Sequence, residues 1–120
     1  MLIDTHAHIY SEDFLHDMDD VLQRAYDNDV KKIILPNIDS GSVKRLLDLA
    51  DAYPHLCFPL MGLHPTSVAG DYREELEAVE YWLEKRKFYG IGEIGIDLYW
   101  ERTYLNEQQD AFRHQVKLAK

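Results

Sequence analysis

Short apolar runs alternate with amphipathic stretches along the chain, and this alternation predicts its secondary structure. The apolar runs predict four β-strands, at residues 2–9, 33–35, 58–63 and 89–96. After each run, apolar residues recur at helical spacing and predict a helix. The residues that carry this spacing are Met18, Val21, Leu22 and Ala25; Val43, Leu46, Leu47 and Ala50; Leu76, Val79 and Leu83; and Ala111, Phe112, Val116 and Ala119.

Two of the predicted helices begin with polar residues that are typical of helix caps. Asp39 and Ser40 precede the second helix, and either side chain can accept a hydrogen bond from a free backbone amide. Asn106 is followed by Gln109 three residues later, which is the spacing of a capping box. This pair predicts that the fourth helix opens at Asn106.

The order β-α-β-α-β-α-β-α defines an α/β fold class. Apolar strands that alternate with helices are typical of parallel strands covered by helices and joined by right-handed crossovers. An open doubly wound sheet and a closed (β/α)8 barrel both have this pattern. A complete barrel usually needs about 250 residues, whereas this chain has 120. We therefore predict a single partial domain, residues 1–120, that forms the N-terminal half of a TIM-type barrel with four βα units.

Composition and charge narrow the class of protein. The chain has 22 acidic and 13 basic residues and a net charge of −9, which argues against a broad basic face for nucleic acid. Any nucleic-acid contact is therefore expected at the site itself. Cys57 is the one cysteine, so an internal disulfide is excluded. No segment resembles a signal peptide or a membrane span, and we expect a cytoplasmic protein without membrane contact.

His6 and His8 form the sharpest candidate site. Because side chains alternate across a strand, both rings are expected on one face, about 6–7 Å apart along the chain. Two neutral imidazoles at this spacing are able to converge on one metal ion. The alternative is a pair of hydrogen-bonded histidines at the end of a strand. The pair favours a metal site, since a lone histidine would be the more ordinary structural residue.

Glu93 lies in the glycine-rich segment 90–97, inside an apolar run. A buried, unpaired carboxylate costs several kcal/mol, and a bound cation removes this cost. The alternative is an ion pair with a basic residue of a neighbouring strand. The strands offer no arginine, and Lys31 and Lys32 lie at the start of the second strand, which is expected at the opposite end of the barrel. Asp97 is predicted either to orient a metal ligand or to cap the following turn.

His64 follows the third predicted strand, in Gly-Leu-His-Pro at 62–65. The carboxyl ends of barrel strands carry the active site, so His64 is predicted to contact a phosphate or assist proton transfer. A turn residue with a bonded ring nitrogen is the alternative.

The segment after Asp97 holds candidate substrate-binding residues. Its aromatic residues, Tyr99, Trp100 and Tyr104, could stack an unpaired base. We expect instead that at least two of the three pack between the fourth strand and its helix. Arg102 is placed to meet a phosphate, although an ion pair with Glu101 or Glu107 is the plainer expectation.

In this order, these motifs resemble the TatD family of metal-dependent deoxyribonucleases. The resemblance includes Ile3-Asp4-Thr5-His6-Ala7-His8, Gly62-Leu63-His64-Pro65, the segment from Gly90 to Asp97, Tyr99-Trp100, and Gln108, Phe112, Gln115 and Leu118-Ala119. It covers nearly the whole chain. The His-x-His motif alone is also found in amidohydrolases and PHP-type phosphoesterases, but its combination with Gly-Glu-Ile-Gly-Ile-Asp is specific.

The resemblance implies a barrel with a metal centre of two divalent ions, Mg, Zn or Mn. His6 and His8 would bind one ion, Glu93 would bridge it to the second and act in catalysis, and His64 would lie beside the substrate phosphate. Two further histidines and an aspartate, on strands after Lys120, complete the centre in this family.

The function expected from this resemblance is hydrolysis of DNA phosphodiester bonds, with single strands or ends as substrates for an exonuclease-like reaction. One alternative keeps the site and changes the substrate, to a D-aminoacyl-tRNA or a small amide. An alternative of another class is a catalytically silent half-barrel whose exposed edges, the first and fourth strands, bind a partner.

Overall fold

The computed structural model describes residues 1–120, and its centre is a three-stranded parallel sheet in the order β1-β2-β3. The strands are β1 (Leu2–Asp4), β2 (Val30–Leu35) and β3 (Cys57–Pro59). Ile3 pairs with Lys32, and Ile33 pairs with Cys57. The predicted parallel α/β arrangement is therefore confirmed.

Four α-helices connect and follow these strands: α1 (Met18–Asp27), α2 (Val43–Ala52), α3 (Tyr72–Lys85) and α4 (Leu105–Ala119). Short 3-10 turns lie at Glu12–Phe14, Ser40–Ser42 and Pro65–Ser67. None of the helices has the length and apolar character that crossing a bilayer requires.

The core lies between the sheet and the helices. Leu35 of β2 and Leu46 of α2 are fully buried, as is Met61 just beyond β3. The predicted apolar face of α2, which consists of Val43, Leu46, Leu47 and Ala50, is buried along its whole length. Helical periodicity therefore identified the packed face of this helix correctly.

The first strand is shorter than predicted and ends at Asp4, so His6 and His8 lie beyond it. The reason is local, because the His6 amide donates to the Asp4 carboxylate at 3.0 Å and turns the chain away from regular pairing. One sheet-like bond persists further on, from the Ala7 amide to the Ile34 carbonyl at 3.1 Å.

The fourth predicted strand does not form. Residues 89–96, called the fourth segment below, run beside β3 with a single parallel bridge between Met61 and Ile91. The glycines of this segment weaken a strand because glycine loses more conformational entropy on folding than other residues and has no side chain to pack. The third strand is also shorter than the predicted 58–63.

One predicted helix cap is confirmed and the other is wrong. Asp39 caps the 3-10 turn that leads into α2, and its carboxylate accepts the Ser42 amide at 3.1 Å. Helix α4 begins at Leu105, one residue before Asn106, and its cap position, Tyr104, makes no side-chain capping bond. The predicted capping box of Asn106 and Gln109 is therefore absent.

The free edge of the sheet is β1, and all three of its residues are exposed. Leu2 and Ile3 present 58% and 48% of their surface to solvent. Native proteins usually cover an exposed apolar edge strand of this kind or protect it in another way.

Candidate metal centre

His6, His8 and Glu93 converge beyond the carboxyl ends of the strands. Glu93 Oε2 lies 2.9 Å from His6 Nε2 and 3.2 Å from His8 Nε2, and the two ring nitrogens are 3.1 Å apart. The three donor atoms lie within 4.8 Å of one another. This convergence was predicted from the sequence, although His6 and His8 lie in the loop after β1 and not within the strand.

The backbone of Asn37 holds Glu93 in place. Its amide donates to the Gly92 carbonyl at 3.0 Å, and its carbonyl accepts the Glu93 amide at 3.2 Å. Glu93 thus pairs with the end of the β2 segment instead of extending the ladder beside β3. No lysine contacts Glu93, since the Lys31 ammonium bonds the Tyr26 carbonyl. The predicted alternative, an ion pair with a lysine, is therefore not formed.

The side chain of Asn37 is itself buried and fully bonded, and sequence analysis missed it. Its amide donates to the carbonyls of Asp39 and Gly62, each at 3.0 Å, and its oxygen accepts the Ser42 hydroxyl at 2.8 Å. The only available signal was an asparagine directly after the buried β2 run and Pro36. The side chain of Asn37 therefore joins the loop that follows β2 to the backbone at Gly62.

Gly62 lets the fourth segment approach the chain closely. A Cβ at this position would lie 2.8 Å from the Gly92 carbonyl carbon and 2.9 Å from its oxygen. Only glycine leaves room for this contact. Gly92, the residue before Glu93, can therefore take its place only because Gly62 has no Cβ.

His64 faces Glu93 and also caps a turn. Its Nδ1 accepts the Thr66 amide at 3.1 Å, and its Nε2 lies 3.1 Å from Glu93 Oε1. Because Nδ1 is an acceptor, the proton of the neutral ring resides on Nε2 and points at the carboxylate. The structure shows the turn residue that the sequence offered as the alternative, and it places His64 Nε2 beside Glu93.

Tyr10, a second residue that was not predicted from the sequence, contacts the His8 ring at Nδ1. His8 Nδ1 lies 3.0 Å from the Tyr10 hydroxyl, which also bonds the Pro36 carbonyl. Burial and the neighbouring His6 lower the pKa of His8, so its ring is biased towards the neutral form. Burial raises the pKa of Tyr10, which keeps its hydroxyl protonated.

Two buried glutamines of α4 hold the loops that carry the site. Gln115 accepts the Leu63 amide at 2.7 Å, directly beside His64. Gln108 accepts the Asp97 amide at 2.8 Å and donates to the Asp97 carbonyl at 2.9 Å. Helix α4 thereby holds the backbone at Leu63, directly before His64, and at Asp97, four residues after Glu93.

Asp97 caps the turn that follows it. Its carboxylate accepts the Tyr99 amide at 3.0 Å, and its hydrogen bonds include none to His6, His8 or Glu93. Of its two predicted roles, the structure shows the turn cap.

The aromatic residues after Asp97 differ from expectation. Tyr99 and Trp100 are 82% and 79% exposed and pack edge to face at 4.7 Å, while Tyr104 alone packs on the core. The expectation that at least two of the three are packed is therefore wrong. The turn capped by Asp97 directs both side chains outward.

Arg102 is exposed and forms no ion pair, so the expected pairing with Glu101 or Glu107 is also wrong. The Glu101 carboxylate accepts the backbone amides of Arg102 and Thr103, both at 2.8 Å. A hydrogen bond from the Thr103 hydroxyl, together with these two backbone bonds, lowers the pKa of Glu101 and satisfies the carboxylate locally. The Arg102 guanidinium is left free.

A parallel α/β sheet with two imidazoles and a carboxylate at its carboxyl ends is the arrangement of barrel-type metal-dependent hydrolases. A family model described as TatD related DNase matches residues 3–120. The chain belongs to this family.

Individual relatives agree with this membership. The chain is 30% identical to the uncharacterized metal-dependent hydrolase YabD of Bacillus subtilis, over 100% of this chain and 47% of the relative. It is 29% identical to a 3'-5' ssDNA/RNA exonuclease TatD of Salmonella typhimurium, over 98% of this chain and 45% of the relative.

A solved structure is also similar. The crystal structure of YjjV, a TatD homolog from Escherichia coli K12, matches with a TM-score of 0.89 and 36% identity, over 99% of this chain and 46% of that chain. The α/β fold is therefore part of a barrel. The chain spans about half the length of the curated relatives that it matches.

Proposed function

We propose that this chain supplies one half of the active site of a metal-dependent nuclease, with His6, His8 and Glu93 as metal ligands. The convergence of these three side chains carries the proposal, because their donor atoms lie within 4.8 Å of one another. The family and the names of its relatives support hydrolysis of a nucleic-acid phosphodiester bond.

The donor set fits a divalent ion. Ligands about 2.1 Å from a tetrahedral ion are separated by about 3.4 Å, and the three donor pairs here are separated by 2.9–3.2 Å. Movements of a few tenths of an ångström therefore suffice to admit the ion. Imidazole with carboxylate suits Zn or Mn, and Mg where carboxylate oxygens dominate.

Glu93 is suited to bridge two ions, because its two oxygens face different partners. Oε2 faces His6 and His8, whereas Oε1 faces His64. Glu93 would therefore help to hold a second ion as well. A pair of divalent ions would polarise the scissile phosphate and lower the pKa of an attacking water.

The residues of this chain then have separate tasks in the reaction. Glu93 and the two histidines would hold the metal, and the metal would supply the positive charge that orients the phosphate. The Nε2 proton of His64 is presented beside Glu93, where it is able to stabilise a phosphate oxygen or protonate the leaving oxygen. Asp97 maintains the turn that presents Tyr99 to the substrate.

The substrate is proposed to be a single strand or an end of DNA. A net charge of −9 offers no extended basic track for a duplex. Exposed aromatic rings stack unpaired bases with little sequence preference, and Tyr99 and Trp100 provide two such rings. The free guanidinium of Arg102 adds one phosphate contact.

Three variants test the metal assignment. His6→Ala and Glu93→Ala should lose Zn²⁺ binding in calorimetry and hydrolysis of single-stranded DNA, while far-UV circular dichroism stays unchanged. His16→Ala is the matched control, because its ring is exposed and lies outside the site. Wild-type cleavage by Glu93→Ala would show that the assignment is wrong.

Substrate choice needs a separate assay. Single-stranded DNA, a D-aminoacyl-tRNA and a cyclic amide should be compared with the same metal-loaded protein. We expect cleavage of the DNA. Turnover of the amide or the aminoacyl-tRNA alone would contradict the nuclease proposal.

A further inference from the structure

Tyr10 lies directly behind one of the proposed metal ligands. Its side chain is among the largest that are fully buried, with 1% of its surface exposed. The hydroxyl stands between two groups, His8 Nδ1 at 3.0 Å and the carbonyl oxygen of Pro36. This hydroxyl has one hydrogen and therefore donates to only one of the two groups. The other group has to donate a hydrogen to the hydroxyl oxygen.

The positions of the hydrogens follow from the chemistry of the three groups. A carbonyl oxygen only accepts, and a buried carbonyl left without a donor is unfavourable. The single hydroxyl hydrogen of Tyr10 therefore goes to Pro36. His8 Nδ1 then has to donate its own hydrogen to the Tyr10 oxygen.

A neutral imidazole has one N–H, so a hydrogen on Nδ1 leaves Nε2 with a free lone pair. This Nε2 lies 3.2 Å from Glu93 Oε2 and 3.1 Å from His6 Nε2, at the centre of the site. Without Tyr10, the carboxylate of Glu93 would draw the hydrogen to Nε2, which would block the lone pair.

We propose that Tyr10 is a positioning residue that holds His8 in the tautomer able to bind a cation. The inference rests on the proposed metal centre and deepens it. It also distinguishes the two histidines, because the His6 side chain is 51% exposed and no hydrogen bond ties its Nδ1. His8 is the prearranged ligand, and His6 adjusts to the ion.

Nitrogen-15 NMR of the metal-free wild-type protein is the first test and needs no variant. At about pH 8, above the usual imidazole pKa, His8 should show a protonated Nδ1 and an unprotonated Nε2. A hydrogen found mainly on Nε2 would overturn the proposal.

Tyr10→Phe is the second test, with Zn²⁺ alone as the ligand. The hydrogen of His8 should move towards Nε2, and calorimetry should show affinity weakened by about 10- to 100-fold, the usual effect of losing a group that orients a ligand. Tyr53→Phe is the matched control, since it removes a hydroxyl that bonds Asp19 instead. Its affinity and tautomer should match the wild type.

His8→Ala separates failure of this inference from failure of the metal centre. If His8→Ala loses Zn²⁺ affinity and Tyr10→Phe keeps wild-type affinity, the role of Tyr10 is wrong and the centre stands. If His8→Ala binds Zn²⁺ as the wild type does, the centre itself is wrong. Thermal unfolding of each variant identifies any loss of fold, and the NMR test of the wild type is independent of it.

Discussion

The backbones of Asn37 and Glu93 are joined across the site, with the Asn37 carbonyl accepting the Glu93 amide at 3.2 Å. Asn37 is 1% exposed, and its side chain is bonded to Asp39, Ser42 and Gly62. The proposed metal-binding carboxylate is therefore attached to the sheet through a buried polar network instead of a regular strand. Such a network is rigid when all of its members are paired.

Asn37→Ala should destabilise the fold and loosen the site together. The substitution leaves the buried Gly62 carbonyl without its donor, and it removes the acceptor that lies 2.8 Å from the Ser42 hydroxyl. We expect the free energy of unfolding to fall by about 1–3 kcal/mol, measured by urea denaturation, with weaker Zn²⁺ binding. Asn28→Ala is the control, because that amide bonds the Arg24 carbonyl at an exposed helix end. If both variants lost the same free energy of unfolding, the buried network around Asn37 would not be the source of the stability.

Gly62→Ala should strain the approach of the fourth segment. The added methyl would lie 2.8 Å from the Gly92 carbonyl carbon, and backbone atoms have to move to admit it. We expect a loss of about 1–3 kcal/mol in the free energy of unfolding, as for other overpacked positions. Gly70→Ala is the matched control, because a Cβ there meets no atom within 4 Å. Unchanged stability of Gly62→Ala would contradict the close contact.

Helical periodicity and strand alternation predicted the parts of the fold that depend on burial alone. The four apolar residues predicted for the packed face of α2 are all buried. The strands were also predicted to be parallel, as they are. His6 and His8 were identified because two imidazoles two residues apart have few structural explanations. Glu93 was identified because a carboxylate in an apolar run needs a partner. Each of these signals is local in the sequence.

The features that could not be predicted depend on contacts between distant segments. The fourth segment reads as a strand and keeps three backbone bonds to residues 59–61, but its Gly92 carbonyl and Glu93 amide bond Asn37 instead. Tyr10 reads as an ordinary aromatic residue, because its partner Pro36 is 26 residues away. At least two of Tyr99, Trp100 and Tyr104 were expected to pack inside, but Tyr99 and Trp100 point outward from the turn capped by Asp97. Local pattern gave no information on these pairings.

Cys57 should make stability depend on pH in the alkaline range. Burial raises the pKa of its thiol from 9.0 to about 11. The folded state therefore keeps the proton that the unfolded state releases, so stability is complete below about pH 9 and falls as the pH approaches 11. The expected loss is on the order of 1–3 kcal/mol. Urea denaturation across this range measures it.

Cys57→Ala serves as the reference for that titration. Tyrosine and lysine residues also titrate in this range, but they are common to both proteins. The difference in unfolding free energy between wild type and Cys57→Ala should therefore shrink as the pH rises. A difference that is constant from pH 8 to about pH 11 would mean that the thiol is not perturbed.

Tyr99 and Trp100 give the proposed nuclease a testable contact with its substrate. Both rings are almost fully exposed in a segment that begins two residues after Asp97 and six residues after Glu93. Stacking of one base on an aromatic side chain is worth about 1–3 kcal/mol. Trp100→Ala should therefore weaken binding of a short single-stranded oligonucleotide by about 5- to 150-fold, measured by fluorescence anisotropy.

Tyr81→Ala is the matched control for that substitution. Tyr81 is also an exposed aromatic, 53% accessible and edge to face with Trp82, but it lies on α3 and not in the segment after Asp97. Its loss should leave oligonucleotide binding unchanged. Double-stranded DNA of the same length should respond less to Trp100→Ala, because paired bases are not free to stack on the ring. Equal binding by Trp100→Ala and wild type would remove this segment from the substrate site and leave the metal ligands as the basis for the nuclease proposal.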